Sequence, residues 1–236
     1  EKHIKDAINY SKEFNDNYAL IYALLTYSKI KNSQGLHRAA LELIEKAKEK
    51  ISTETKTAMI VKVLDNTATL YRKLKNYKKA IISYKELIEF AKKTNDQEIY
   101  KGDLSIAYFQ ITKRYTYIDN KKESLFYAEK HHTLAKKLNN RTHIAYAMQS
   151  MGMALIENER FSEAEKVFIK ANAFFEKDKN NFEINFNNNH LAIIYFNLNN
   201  YEKSINILNK IIEKYNTPKT KNKLIDTHHL LSKIYK

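Results

Sequence analysis

The chain has 236 residues, 41 Lys and Arg against 27 Asp and Glu, and a formal net charge of +14 at pH 7, with three Gly, one Pro and no Cys. Without Cys there is no disulfide framework, thiolate metal site or cysteine nucleophile. No apolar run approaches the roughly 20 residues that span a bilayer or forms a signal-peptide core.

So few breakers beside abundant Lys, Glu, Leu and Ala predict an all-helical chain, and no strand-like alternation competes. The 3.6-residue period predicts about 12 helices, over 3–15, 17–31, 36–50, 56–74, 77–93, 97–117, 121–138, 141–158, 161–177, 183–198, 201–215 and 220–235. Short turns containing Asn, Asp and Lys separate them. Leu74-Lys75-Asn76-Tyr77 matches Leu198-Asn199-Asn200-Tyr201, with Ile156 to Phe161 a near relative. Asn tolerates the left-handed conformation that ends a helix and also caps the next one. Pro218 lies between the last two predicted helices, where a missing N–H costs little.

One segment recurs along the chain. Ala40-Leu41-Glu42-Leu43-Ile44 is echoed from Ala80, Ala164 and Ser204, and more weakly over Ser124 to Ala128, so the anchors at 40, 80, 124, 164 and 204 are about 40 residues apart. A period in this range marks stacked helical hairpins, each burying its apolar face on its neighbours.

These spacings carry a resemblance. Leu64, Ala68, Tyr71, Ala80 and Tyr84 fall at the signature positions of the tetratricopeptide repeat family. Met148, Met151, Gly152, Ala164, Phe168 and Ala171 do so again, as do Leu191, Ala192, Tyr195 and Leu208, with Ser204 in place of Ala. Small residues there let two helices approach, and the aromatic fills the wedge between hairpins. The resemblance implies an all-α, right-handed superhelical solenoid of antiparallel hairpins. The period exceeds the family's basic 34 residues, as in the repeats of bacterial signalling proteins and transcription regulators. The unit at 121–138 is irregular, with an insertion before it and His131 where a small residue is expected; a local distortion is predicted there. Because the chain lacks an initiator Met and its first unit is incomplete, we expect one repeat domain over 1–236, cut at both ends from a longer protein. It would begin in the second helix of one hairpin and stop in the first helix of another.

The resemblance also implies a concave groove lined by the first helix of each hairpin. Carried over position by position, its lining is Asp65, Asn66, Thr69 and Arg72, then Phe109, Gln110 and Lys113, then Tyr146, Gln149 and Met153, then Phe186, Asn189, His190 and Ile193, and finally His229 and Lys233. Amides and aromatics with a few cations suit an extended peptide. The clamp by which some family members grip a terminal carboxylate is not reproduced, since Asp65/Thr69, Gln149/Met153 and Asn189/Ile193 occupy its positions. This disfavours a chaperone-tail adaptor.

The positive charge raises nucleic acid as a partner. However, only Arg38, Arg72, Arg114, Arg141 and Arg160 are Arg, and Lys-rich helix faces are ordinarily solvated surface. The pairs His131-His132 and His228-His229 point about 100° apart on a helix, unsuited to one metal. No phosphate loop, dinucleotide motif or nucleophile elbow is present. The expected function is therefore a non-enzymatic peptide- or protein-binding module without metal or cofactor, serving as the sensor or regulatory region of a larger bacterial signalling protein or transcription regulator. A constitutive assembly scaffold is the alternative, with nucleic-acid binding through Lys-rich faces a third reading. A homodimer is compatible. No membrane segment is expected in this chain. The expected compartment is the cytoplasm, or the periplasm if the full-length protein carries a signal peptide.

Overall fold

The computed structural model describes residues 1–94, 101–215 and 224–235. Helices follow in the order α1 (Lys2–Glu13), α2 (Asn17–Ser33), α3 (His37–Lys48), α4 (Thr57–Lys73), α5 (Tyr77–Lys93), α6 (Lys101–Tyr117), α7 (Lys121–Leu138), α8 (Arg141–Glu157), α9 (Phe161–Lys177), α10 (Asn181–Asn197), α11 (Tyr201–Tyr215) and α12 (Ile225–Ile234). The predicted starts of α6 at 97 and α12 at 220, and Pro218, lie outside the described residues. Two compact units divide the chain, Glu1–Ile118 with α1 to α6 and Asp119–Lys236 with α7 to α12. The fold of each is all-α, a stack of antiparallel hairpins. The predicted distortion at 121–138 is absent from α7 itself, which runs unbroken over 18 residues.

The links explain the regular spacing. Six helices with both ends described are 17 residues long, and most of the described links are three residues. The middle residue turns left-handed: Asn15, Gly35, Lys75, Asp119, Glu159, Lys179 and Asn199 all have φ between 50° and 78°. In six links the following residue donates its N–H to a carbonyl five residues back, as Asn76 does to Tyr71 at 2.9 Å and Asn200 to Tyr195 at 2.8 Å. This is the Schellman closure. That same third residue then caps the next helix: the side chains of Asp16, Asn76, Asn120, Asn180 and Asn200 accept from the N–H three residues on. One device therefore operates both within and between hairpins, and the 40-residue period is two halves of 20.

Only Gly35 among these left-handed positions avoids the Cβ cost. Lys75, Glu159 and Lys179 lack the local hydrogen bonding that eases Asn into this region. Replacing each of the three by Gly is expected to stabilise the fold by about 0.5–1 kcal/mol, the relief of left-handed strain less the entropy of Gly. Urea melts of the single variants check this, and a loss at all three positions would refute it.

Small residues set the spacing inside each hairpin. In the first helices Ser28, Ala68, Thr112, Gly152 and Ala192 occupy one register position and are all buried, as are Ala40, Ala80, Ser124, Ala164 and Ser204 in the second helices. Two of the serine hydroxyls bond across the contact: Ser28 Oγ donates to the Ala40 carbonyl at 2.8 Å and Ser204 Oγ to that of Ala192 at 2.9 Å. Such pairs let the backbones approach while aromatic and aliphatic side chains fill the flanks. In the first unit a core of Leu20, Ile21, Leu24, Ile44, Met59, Val63 and Leu70 runs from α2 into α4.

First helices also touch each other across the stack, α2 with α4, α8 with α10 and α10 with α12. Within each unit this makes the first-helix layer the tighter, inner one. Any extended ligand of a unit would lie along it.

Candidate functional site

In the second unit the inner layer carries a ladder of polar side chains. Gln149 Nε2 on α8 donates to Glu183 Oε2 at 2.9 Å and to Asn187 Oδ1 at 2.8 Å, both on α10. Asn187 Nδ2 donates to Asn172 Oδ1 on α9 at 2.8 Å, and Asn172 Nδ2 to Asn188 Oδ1 at 2.9 Å. Thr227 on α12 donates to Asn189 Oδ1 at 3.0 Å. Tyr146 OH donates to Glu183 Oε1 at 3.2 Å. Burial and then the Glu183 carboxylate push the Tyr146 phenol up to about 12, which keeps it protonated as a donor.

Gln149 and Asn187 are fully buried, so this ladder joins helices rather than facing solvent. Asn187→Ala is expected to destabilise the second unit by about 2–3 kcal/mol, because the buried Gln149 amide and the half-buried Asn172 amide lose a partner at once. Chemical denaturation measures this, and a cost within about 0.5 kcal/mol would show the ladder to be replaceable.

The other expected lining residues of this unit are placed differently from one another. Met153 is 2% exposed, sealed in the core. Phe186, His190 and Ile193 are half-buried. His190 donates from Nδ1 to the Phe186 carbonyl at 2.8 Å and stacks on buried Phe168 with centroids 5.0 Å apart. His229 and Lys233 are exposed on α12.

The first unit collects charge instead. Asp65, Thr69 and Arg72 lie half-buried on α4, with Asp103 and Arg114 on α6. Asn66 turns back on its own helix, donating to the Lys62 carbonyl at 2.7 Å. Phe109, Gln110 and Lys113 are half-buried on α6. Burial, and then the Asp103 carboxylate, raise the Asp65 pKa; burial raises that of Asp103. Tyr84, 1% exposed on α5, places its hydroxyl 3.4 Å from Thr69 Oγ1. Its pKa is raised by burial first, and it also feels the charges of Asp65, Arg72 and Arg114.

Arg114 was not among the expected lining residues. It is 3% exposed, and its guanidinium carbon lies 5.4 Å from the Tyr77 ring centre and 5.0 Å from that of Tyr117. Those two rings are themselves stacked at 5.3 Å. The signal for it was in the register. Counted back from the helix ends, Arg114 corresponds to Ile30 on α2, Leu70 on α4, Ala154 on α8 and Ile194 on α10, an apolar residue each time. The four extra residues between the anchors at 80 and 124 hide that alignment.

Hairpins of this geometry, with small pairs at fixed positions and a polar inner layer, agree with the family comparisons. A profile described as tetratricopeptide repeat matches residues 61–94, and a second matches 190–215. The chain carries tetratricopeptide repeats. No curated protein matches it by sequence.

Among solved structures, BtubC (BKLC) from P. vanneervenii aligns with a TM-score of 0.68 at 11% identity, over 89% of this chain and 87% of that one. A Rap protein complexed with Competence and Sporulation Factor aligns at 0.66 and 18% identity, over 92% of this chain and 57% of that one. The STAND protein PH0952 from Pyrococcus horikoshii, which has a tetratricopeptide repeat sensor, aligns at 0.72 and 14% identity, over 96% of this chain and 36% of that one. These likenesses are of fold. This chain thus spans little more than half of the Rap protein and about a third of the STAND protein. Among the described residues no group of three or more His, Cys, Asp or Glu side chains is placed to hold a metal ion, and no helix is long and apolar enough to cross a membrane.

Proposed function

We propose that this chain is a non-enzymatic repeat module that takes a peptide or protein segment on its inner layer of first helices, as the sensor or regulatory region of a larger signalling protein or transcription regulator. The observation that carries the reading is the first unit's charged cluster: Asp65 and Arg72 on α4 and Asp103 and Arg114 on α6 are partly or wholly withdrawn from water. Charge is costly to bury, and a scaffold gains nothing in packing from it. The fold likeness to a Rap protein complexed with a named factor, and to a STAND protein with a repeat sensor, supports the same reading.

Binding would act by altering the stack, since each hairpin contacts only its neighbours and small rotations add along it. Selection from a random peptide library followed by calorimetry tests the proposal. Short peptides should bind saturably, and Asn66→Ala, Lys113→Ala and Phe109→Ala should each weaken them. If only folded protein partners are retained and no peptide binds, the reading is wrong and a scaffold takes its place.

A further inference from the structure

The second helices α3, α5, α7, α9 and α11 start at His37, Tyr77, Lys121, Phe161 and Tyr201, so they can be compared position by position. Counted from those starts, the second, sixth, tenth, thirteenth and seventeenth residues fall within about 80° of one another, as one stripe along the helix. On α3, α5 and α11 this stripe carries two carboxylates each: Glu42 and Glu49, Glu86 and Glu89, Glu202 and Glu213. Lysines interleaved with carboxylates in this way are ordinary solvated surface. On α7 and α9 the stripe carries none. Its charged residues there are Lys122, Lys130, Lys137, Lys166, Lys170 and Lys177, and all are exposed.

The carboxylates near this face are engaged or stand at its edge. Glu163 gives both oxygens to Arg160, at 2.7 and 2.8 Å, and Glu159 takes Lys121 at 3.0 Å. Glu129 and Glu176 stand on one border of the stripe. Among the described residues none of the six lysines forms an ion pair. Both helices pack on α8, and the pair of Lys121 with Glu159 ties the start of α7 to the link between α8 and α9. The face is not only charged. Phe126, in the stripe of α7, is 47% exposed, and Ile169, on the border of that of α9, is 51% exposed.

We infer that the outer face of α7 and α9 is a docking surface for an acidic amphipathic helix of a partner protein, whose carboxylates meet the lysines and whose apolar side chains meet Phe126 and Ile169. It lies on the opposite helix layer from the peptide site proposed above and does not depend on it. From Lys122 to Lys137 the stripe runs about 22 Å, four turns of a partner helix. Apolar side chains within a charged rim are the anatomy of a protein interface, and unlike charge steers the encounter. Nucleic acid would use the lysines but leave Ile169 idle, and the stripe offers no Arg to base edges. A lipid surface takes up apolar side chains that protrude beyond the charges. Here Lys130 Nζ lies over the Phe126 ring, 5.3 Å from its centre, and holds the ammonium where the ring would enter.

Fluorescence anisotropy of the whole chain tests this, using a labelled amphipathic peptide of about four helical turns with Glu on one face and Leu along its border. The peptide should bind saturably, and about tenfold or more weakly when sodium chloride rises from about 50 to about 200 mM. Lys130→Glu with Lys170→Glu should weaken it about tenfold or more. Lys46→Glu with Lys210→Glu makes the same change of charge at the same position on α3 and α11, and should stay within about twofold. Phe126→Ala should weaken this peptide but not a counterpart without Leu. All these positions are exposed, so melting temperatures should hold. Should the glutamates lower them, Lys130→Gln with Lys170→Gln replaces that pair, and the same comparison decides.

Equal losses in the two double variants would overturn the surface by showing that only net charge matters. Absence of saturable binding at low salt would overturn it too, as would tighter binding of a DNA duplex or of phosphatidylserine vesicles than of the peptide. Failure of inner-layer peptide capture with this binding intact would remove the proposed function alone.

Discussion

Replacing Gly152 with alanine is expected to destabilise the second unit, although Ala is the better helix former. A methyl group built there would stand 2.5, 2.7 and 2.9 Å from Cε2, Cζ and Cδ2 of Phe168. Atoms that close must separate, and the ring has nowhere to go: Phe168 is fully buried and stacks on His190 of the next hairpin. Either the ring leaves its rotamer or α8 and α9 move apart, and overpacking of this kind costs about 1–3 kcal/mol or more. The helix-propensity gain of Ala over Gly, about 1 kcal/mol, offsets only part of it. Urea unfolding should therefore show a net loss, and Phe168→Leu in the same chain should recover most of it by returning the space. A stabilised Gly152→Ala protein would mean that propensity outweighs the contact and that this aromatic wedge is soft.

Acid is expected to unfold the protein well above the pH at which its ordinary carboxylates titrate, with His131 a main cause. His131 is fully buried on α7 with Nδ1 2.8 Å from Ser150 Oγ, and burial first, then His143 and His132, lower its pKa from 6.5 to about 3. The folded protein therefore keeps it neutral while the unfolded chain takes a proton below about pH 6.5. The sign follows: above that pH the group adds no pH dependence, and below it stability falls by about 1.4 kcal/mol per pH unit until about pH 3. The full span amounts to about 4–5 kcal/mol. His132 and His143, lowered by burial, act in the same direction. Asp65, Asp103 and Glu157 are raised by burial and act oppositely at the acid end.

Comparison with His131→Leu separates these contributions, because leucine is what α5 carries at the equivalent position, Leu87. Denaturant midpoints between pH 7 and pH 4 should fall steeply in the native chain and more gently in the variant. Parallel slopes would show that His131 is protonated in the folded state, contrary to its burial.

These two residues also show how far the fold was legible. The alignment of Gly152, Ala164 and Phe168 with the other repeats was visible in the chain, because a fixed distance between helices demands small side chains at fixed intervals. The helix ends were also visible, and where both are described they agree within two residues, since Asn and Asp caps act locally. The left-handed residue of the links was less so. Asn was the expected occupant, yet Lys75, Glu159, Lys179 and Asp119 hold that position as well. The closing hydrogen bonds impose the conformation on whichever residue stands there. His131 was singled out as a departure from a small residue, and α7 accommodates it unbroken, with its ring hydrogen-bonded to Ser150.

The candidate site was less legible. Family positions named Gln149, Met153 and Asn189 as lining, and the structure places the first two inside the core and engages the third with Thr227. They named Arg72 but passed over Arg114, Tyr84 and Asp103. What the sequence by itself determined is the set of helices, their pairing into hairpins and the period of about 40 residues, because capping, propensity and small-residue spacing are properties of neighbours along the chain. Which polar side chains are enclosed and which satisfy one another were decided only by the tertiary structure. Burial and electrostatic environment belong to the helix packed opposite, so the surroundings of Arg114, where sister repeats carry Ile, Leu or Ala, came into view only with its neighbours in place.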